Sequence, residues 1–83
     1  MSYTILYTKT AFNDIKKLDL VVKKRIKKKI EYFSDDPIVH AKKLIEFSIG
    51  SYRWRIGDYR IIFDIDKENI VILRVKHRKE SYK

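Results

Sequence analysis

The hydrophobic residues at the start of the chain predict one strand followed by a short helix. The segment "YTILYT", from Tyr3 to Thr8, alternates in polarity and is rich in residues that favour β-structure. Phe12, Ile15 and Leu18 then recur every three residues. This spacing predicts a short helix, which we expect Thr10 to cap at its N-terminus.

A second and longer helix is predicted next. Its apolar residues are spaced by four, four and three positions: Val22, Ile26, Ile30 and Phe33. This spacing places them in one stripe along a helix that ends before the segment "SDDP". We expect the two helices to form a hairpin.

The apolar spacing changes to every second residue after Gly50. The change predicts three strands, Ser51 to Ile56, Tyr59 to Ile65 and Ile70 to His77. The preceding segment "IVHAKKLIEFSIG" carries mixed signals, and we expect a loop there with one helical turn at most. The predicted order βααβββ indicates an α+β fold, in which the helical hairpin packs on one face of a twisted, mainly antiparallel sheet.

The first two of these strands can be aligned residue by residue. Gly57-Asp58 is typical of a two-residue turn in which the glycine takes the positive φ angle of a type II′ geometry. The resulting pairs are Ile56 with Tyr59, Arg55 with Arg60, Trp54 with Ile61, Arg53 with Ile62 and Tyr52 with Phe63. Directly opposed residues lie on the same side of a sheet, so the arginines separate from the large apolar residues.

The same alternation assigns the last strand. Val71, Leu73 and Val75 are expected to face the core, unless a β-bulge changes the alternation. Six basic residues then share the opposite face: Arg53, Arg55, Arg60, Arg74, Lys76 and Arg78. Charges at exposed strand positions often serve solubility alone. Mixed signs or lysines would serve that purpose equally well, whereas guanidinium groups suit paired hydrogen bonds to phosphate oxygens. The pattern favours an anion site.

Composition supports a folded chain with a polyanionic partner. The 83 residues, which we expect to form a single domain over residues 1–83, are 45% hydrophobic and include only two glycines and one proline. Twenty Lys and Arg against eleven Asp and Glu give a net charge of +9. The absence of cysteine, with two isolated histidines, predicts neither a disulfide nor a metal site, and no cofactor is expected. The lack of a signal peptide or a membrane-spanning run predicts a soluble cytoplasmic protein.

A second basic segment, "KKRIKKK", runs from Lys23 to Lys29 on the longer helix. Its simplest interpretation is a helix with one buried stripe and an otherwise solvated circumference. Lys24 and Lys28 are candidates for an additional role, the long-range attraction of RNA.

These residues carry a resemblance to a known family. The stretch "GSYRWRIGDYRIIFDI" leading into "VILRVKHRKESY" resembles the RelE/ParE superfamily of bacterial and archaeal toxins from toxin–antitoxin pairs. The resemblance covers essentially the whole chain. Its most specific parts are the hairpin "GxYRxRxGDYRxxF", from Gly50 to Phe63, and the ending "HRxxxY", from His77 to Tyr82.

The chain is more similar to the RelE branch, whose members enter the ribosomal A site and cut mRNA through attack by the RNA's own 2′-hydroxyl, without a metal. The resemblance therefore implies a type II toxin that arrests translation. It implies the ribosome and mRNA as partners, with contacts to ribosomal RNA. A cognate antitoxin is also implied, which should form a heteromeric complex with the toxin and cover part of the basic face.

The resemblance also assigns residue roles. Arg60 and Arg78 would stabilise charge on the scissile phosphate. Tyr82 matches the family's C-terminal aromatic residue, which would stack on or orient a nucleotide. His77 matches a histidine common in one part of the superfamily and is a candidate acid or base.

Arg53 and Arg55 stand where some relatives carry two lysines. Arginine stays protonated and is a poor general base. Arg55 would then act catalytically through its charge, while Arg53, Arg74 and Lys76 would bind RNA. Proton transfer would need Lys76, His77 or Tyr82, or catalysis would rest mainly on electrostatics.

Two alternatives remain open at this stage. The ParE branch shares the fold and much of the ending but poisons DNA gyrase without cutting RNA. An RNA-binding module that cleaves nothing is the third interpretation.

Overall fold

The computed structural model describes residues 3–44 and 50–79, which form two helices and five strands. The elements in chain order are β1 (Thr4–Tyr7), α1 (Lys9–Lys16), α2 (Leu20–Phe33), β2 (Lys42–Lys43), β3 (Tyr52–Ile56), β4 (Tyr59–Asp66) and β5 (Asn69–His77). The strands lie in the order β1-β5-β4-β3-β2, and all neighbours are antiparallel except the parallel pair β1 and β5. The α+β fold with a mainly antiparallel sheet is confirmed.

Both helices cover one face of the sheet. Ala11 and Ile15 of α1 and Ile26 and Ile30 of α2 are buried against sheet residues. The sheet contributes Trp54, Ile56, Ile61, Phe63, Ile70, Ile72 and Val75 to this core. Burying this apolar surface is the main free-energy gain that holds the helices on the sheet. In the two described ranges, neither helix is long and apolar enough to cross a membrane.

The start of α1 differs from the sequence prediction. Thr8, not Thr10, is the N-cap, and its Oγ1 accepts the N–H of Ala11 at 3.1 Å. Because the Thr8 N–H still donates to Ile72 at 3.0 Å, the helix begins directly after the sheet pairing ends. The expected stripe was also wrong at Phe12, which is 59% exposed. A strict three-residue repeat drifts by about 60° per step around an α-helix, and the helix instead buries residues four apart.

The segment before Gly50 contains a strand that the sequence analysis did not predict. β2 pairs antiparallel with β3, with Lys42 opposite Arg53 and Lys43 opposite Tyr52. Two residues are too few to show an alternating pattern, so the sequence offers no periodic signal for this strand. Short, lysine-bearing strands are a common way to protect the edge of a sheet. Residues 45–49, which also belong to that segment, lie outside the described residues.

The β3–β4 hairpin has the predicted register. All five predicted pairs, from Tyr52 with Phe63 to Ile56 with Tyr59, are present. Gly57 has a φ angle of 57°, while Asp58 does not have a positive φ, as a type II′ turn requires. The turn therefore fixes which residues of this hairpin face the helices.

The predicted alternation of β5 was wrong in its first half. Ile62 pairs with Arg74 and Phe63 pairs with Ile72, so Leu73 is an extra residue that forms a β-bulge. Ile70 and Ile72 consequently face the core in place of Val71 and Leu73. After the bulge the alternation returns to the predicted phase, and Val75 is buried.

Candidate nucleic-acid interface

Three basic residues form a row across the sheet on the side away from the helices. Arg55 on β3 pairs with Arg60 on β4, and Arg60 pairs with Lys76 on β5. We call these three residues the basic row. Their sequence neighbours Trp54, Ile61 and Val75 face the helices, so the basic row must project from the opposite face. Like charges on directly opposed residues repel, and a bound anion would stabilise this arrangement.

A second row lies two pairs further along the strands, on the same face. Lys42 of β2 pairs with Arg53, which pairs with Ile62. Lys42 therefore joins the same face, although the sequence analysis did not select it because β2 was not predicted. We use the term basic face for the basic row together with Lys42 and Arg53. Asp64 lies on this side too, and its Oδ1 accepts the Ser51 N–H at 2.7 Å.

Arg78 lies close to the end of the basic row. Its backbone N–H donates to the carbonyl oxygen of Asp58 at 2.7 Å, directly beside the β3–β4 turn. Residues Arg55 and Arg60 flank the same turn. The fold therefore brings Arg78 and Arg60 to one end of the sheet, although 18 positions separate them in the chain.

Arg74 is engaged by helix α1. Its Nε and Nη2 donate to the two carboxylate oxygens of Asp14 at 2.8 and 3.2 Å. The same carboxylate accepts the Val75 N–H at 3.0 Å. Six basic residues were expected to share one face of the sheet. One of them, Arg74, instead forms an ion pair with helix α1. No sequence pattern pointed to Asp14, because the contact joins residues 60 positions apart.

His77 lies on the other side of the sheet from the basic row. It pairs with Tyr59, whose ring it meets edge-on at 5.1 Å, and its Nδ1 accepts the Lys79 N–H at 3.2 Å. With Asp14 and Arg74 it lines an open cleft of about 390 Å³. The structure therefore does not bring His77 together with Arg60.

The remaining candidates lie elsewhere. Lys24 and Lys28 are exposed on α2, on the helix side of the molecule. Tyr82 lies outside the described residues. Away from the basic face, burial and the carboxylate of Glu31 raise the pKa of the Tyr7 hydroxyl, which further favours its neutral form. No group of three or more His, Asp or Glu side chains in the described part of the chain could hold a metal ion.

Comparison with known proteins identifies the class. Residues 5–82 match the family model of the ParE toxin of type II toxin–antitoxin systems. Toxin RelG of Mycobacterium tuberculosis is 34% identical over 89 residues, covering 100% of this chain and 99% of RelG. Toxin RelE3 of Methanocaldococcus jannaschii is 34% identical over 82 residues, covering 94% of this chain and 93% of RelE3.

A solved structure agrees with these relatives. The crystal structure of the RelBE2 toxin–antitoxin complex from Mycobacterium tuberculosis matches with a TM-score of 0.82 and 32% identity, covering 94% of this chain and 100% of that chain. The chain is therefore a toxin of a type II toxin–antitoxin system. It belongs to the RelE/ParE family, as the sequence resemblance indicated.

Proposed function

We propose that the chain is a ribosome-dependent endoribonuclease, which cuts mRNA in the ribosomal A site and so arrests translation. The observation that carries the proposal is the basic row, in which Arg55, Arg60 and Lys76 stand side by side on three adjacent strands. Matches to toxins named RelG and RelE3 favour this activity over other activities of the family.

The chemistry follows from where charge develops. The 2′-oxygen of one nucleotide attacks the phosphorus and forms a cyclic phosphate, while the bond to the 5′-oxygen of the next nucleotide breaks. The 2′-hydroxyl proton passes to water. Negative charge accumulates on the phosphoryl oxygens in the transition state, and Arg60 and Arg78 stabilise it there more than in the ground state. No metal ion takes part in this scheme.

The leaving 5′-oxygen needs a proton. Lys76 is the group that we assign to this step, because it lies beside Arg60 on the same face and an ammonium group can donate. His77, the other candidate in the described part of the chain, faces the helices. The placement of the two side chains therefore supports Lys76 over His77 as the acid.

A cognate antitoxin is the expected partner. The matching structure from Mycobacterium tuberculosis is a toxin–antitoxin complex, and a toxin must be inhibited in the cell that makes it. We infer that an acidic, amphipathic segment of the antitoxin covers part of the basic face and that the complex is heteromeric. Opposite charges across such an interface make its affinity fall as salt rises.

Inhibition of DNA gyrase is the second candidate function, because the matching family model is that of the ParE toxin. Expression of the toxin without its antitoxin separates the two. We expect methionine incorporation to stop before thymidine incorporation, and the 5′ ends of cut mRNA to map to ribosomal A sites. The matched control is Arg60→Ala expressed to the same level, which should arrest neither. Continued methionine incorporation with failing DNA synthesis and a rising SOS response would establish the gyrase function instead.

A further inference from the structure

An exposed aromatic ring stands among cations at the end of α2. Tyr32 is 62% exposed, and it lines an open cleft of about 290 Å³ with Arg25, Lys28 and Lys29. The Lys29 Nζ lies 5.6 Å from the centre of the Tyr32 ring. The buried stripe of α2 is formed by Ile26 and Ile30, so this tyrosine contributes little to the core. Folding alone does not explain an aromatic residue at this position.

The exposed ring of His40 lies next to Tyr32 and packs against a ring below it. His40 lies 5.6 Å from the Tyr32 ring centre and stacks on Phe33 at 4.6 Å with an angle of 23° between the ring planes. Phe33 in turn contacts the buried Trp54 at 5.6 Å. The indole Nε1 of Trp54 donates to the Pro37 carbonyl at 3.0 Å, which fixes the α2–β2 connection. The two rings are therefore positioned before any ligand arrives.

The connection between α2 and β2 joins this surface to the basic face. His40 precedes Lys42 by two residues, so their Cα atoms are at most about 7.6 Å apart. Lys42 pairs directly with Arg53 of the basic face. A linear polyanion that passes around the β2 edge from the basic face therefore has His40 and then Tyr32 within reach. We call Arg25, Lys28, Lys29, Tyr32 and His40 the Tyr32 patch.

We propose that the Tyr32 patch binds single-stranded RNA next to the strand held on the basic face. A nucleobase stacks on Tyr32 and His40, and the flanking phosphates lie against the three cations of the patch. Exposed aromatic rings beside a positively charged groove are the combination by which proteins bind single strands without reading sequence. This inference rests on the proposed function, since it takes RNA as the polymer on the basic face.

Charge favours RNA over an apolar protein surface. The three charged residues that line the cleft are all cations, and no carboxylate among the described residues lines it. An apolar protein surface placed there would remove these cations from water without compensation. Phosphates compensate their charge, and the bases cover the rings.

The test uses an RNA that cannot be cut. A labelled uridine oligonucleotide of about 12 nucleotides, a length within the range that such sites cover, carries 2′-O-methyl groups that block the attacking oxygen. A second probe has the same backbone without bases. Stacking contributes roughly 1–3 kcal/mol per base, so Tyr32→Ala should weaken binding of the uridine probe by about 5- to 150-fold. Fluorescence anisotropy at fixed salt measures both affinities.

The controls distinguish stacking from structural damage. Tyr32→Phe keeps the ring and should bind both probes as the unaltered chain does, and Tyr32→Ala should bind the probe without bases normally. Equal losses on the two probes, or no loss on either, would overturn the proposal. A Tyr32→Ala toxin with unchanged RNA affinity but weaker antitoxin binding would assign the patch to a protein partner and would also overturn it.

The same variants separate this inference from the proposed function. If the unaltered toxin cleaves ribosome-bound mRNA but the Tyr32 variants show no base-dependent loss, only the patch assignment is wrong. If the base-dependent loss is found and the toxin cleaves nothing, the endonuclease function is wrong and the RNA-binding patch stands.

Discussion

At the scale of single residues, Arg60 combines a central position on the basic face with partial burial. It is the middle member of the basic row, with Arg55 on one side and Lys76 on the other, and its Nε is buried. Partial burial lowers the local dielectric, so a guanidinium there interacts with developing charge more strongly than an exposed one would. The strand pairs on both sides fix the Arg60 backbone before substrate binds, which lowers the cost of orienting its guanidinium group.

We therefore predict that Arg60→Ala lowers the single-turnover rate on ribosome-bound mRNA by at least roughly a hundredfold, the scale for loss of one preorganised donor. Arg78→Ala should act similarly, while ribosome affinity changes little. Arg60→Lys keeps the charge but loses the planar fork and should fall between. Lys67→Ala, in the exposed β4–β5 turn, is the control. Wild-type rates for both alanine variants would show that the basic face and the adjoining Arg78 do not form the active site.

At the scale of secondary-structure elements, the second half of β5 depends on helix α1. β1 accompanies β5 only as far as the pair Tyr7 and Ile72. From there α1 runs along β5, where Thr8 Oγ1 donates to Leu73 and Asp14 accepts the Val75 N–H. The adjoining residue, Lys76, belongs to the basic row. One carboxylate on a helix thus stabilises the strand segment that follows the bulge.

We expect Asp14→Ala to lower the free energy of unfolding by about 1–3 kcal/mol, because it leaves the Val75 N–H without its acceptor and removes the Arg74 ion pair. Asp14→Asn keeps an acceptor and should lose less. Asn13→Ala, its exposed neighbour on the same helix, is the matched control. Urea denaturation measures the differences. Equal stability of Asp14→Ala and the control would show that the contact does not support β5.

Features set by neighbouring residues could be predicted from the sequence, whereas features set by distant contacts could not. The β3–β4 register could be predicted because a two-residue turn with a glycine fixes every pair that follows it. The bulge at Leu73 could not, because it depends on how β5 meets β4 and α1 in the folded chain. Strand β2 was not predicted, because two residues are too few to show an alternating pattern. Lys42 was therefore not recognised as part of the basic face. The sequence predicted the correct face for the arginines of the hairpin. It could not predict the Arg74 ion pair, because that contact depends on where helix α1 lies against the sheet.

At the scale of the whole molecule, positive charge lies on both sides of the sheet. The basic face projects away from the helices, while Lys24 and Lys28 are exposed on α2. A net charge of +9 on 83 residues attracts a polyanion over a distance comparable to the screening length, about 8–10 Å at ordinary salt. The two sides can contribute differently to function. The exposed lysines of α2 can increase the affinity for RNA, whereas the arginines on the strands can stabilise charge on one particular phosphate.

This difference predicts a separation of binding from catalysis. Replacing Lys24 and Lys28 together with Ala should weaken ribosome binding and lower the slope of log affinity against log salt by roughly one for each phosphate that a lysine had neutralised. The cleavage rate at saturating ribosomes should stay near that of the unaltered toxin, because neither lysine lies on the basic face. Arg60→Ala should show the opposite emphasis, with the slope lowered by no more than about one, for its single phosphate, and the saturated rate greatly reduced. Titrations at several salt concentrations, each followed by single-turnover cleavage, measure both quantities on the same samples. A double lysine variant that binds normally but cleaves slowly would contradict this division and would place α2 at the reaction site.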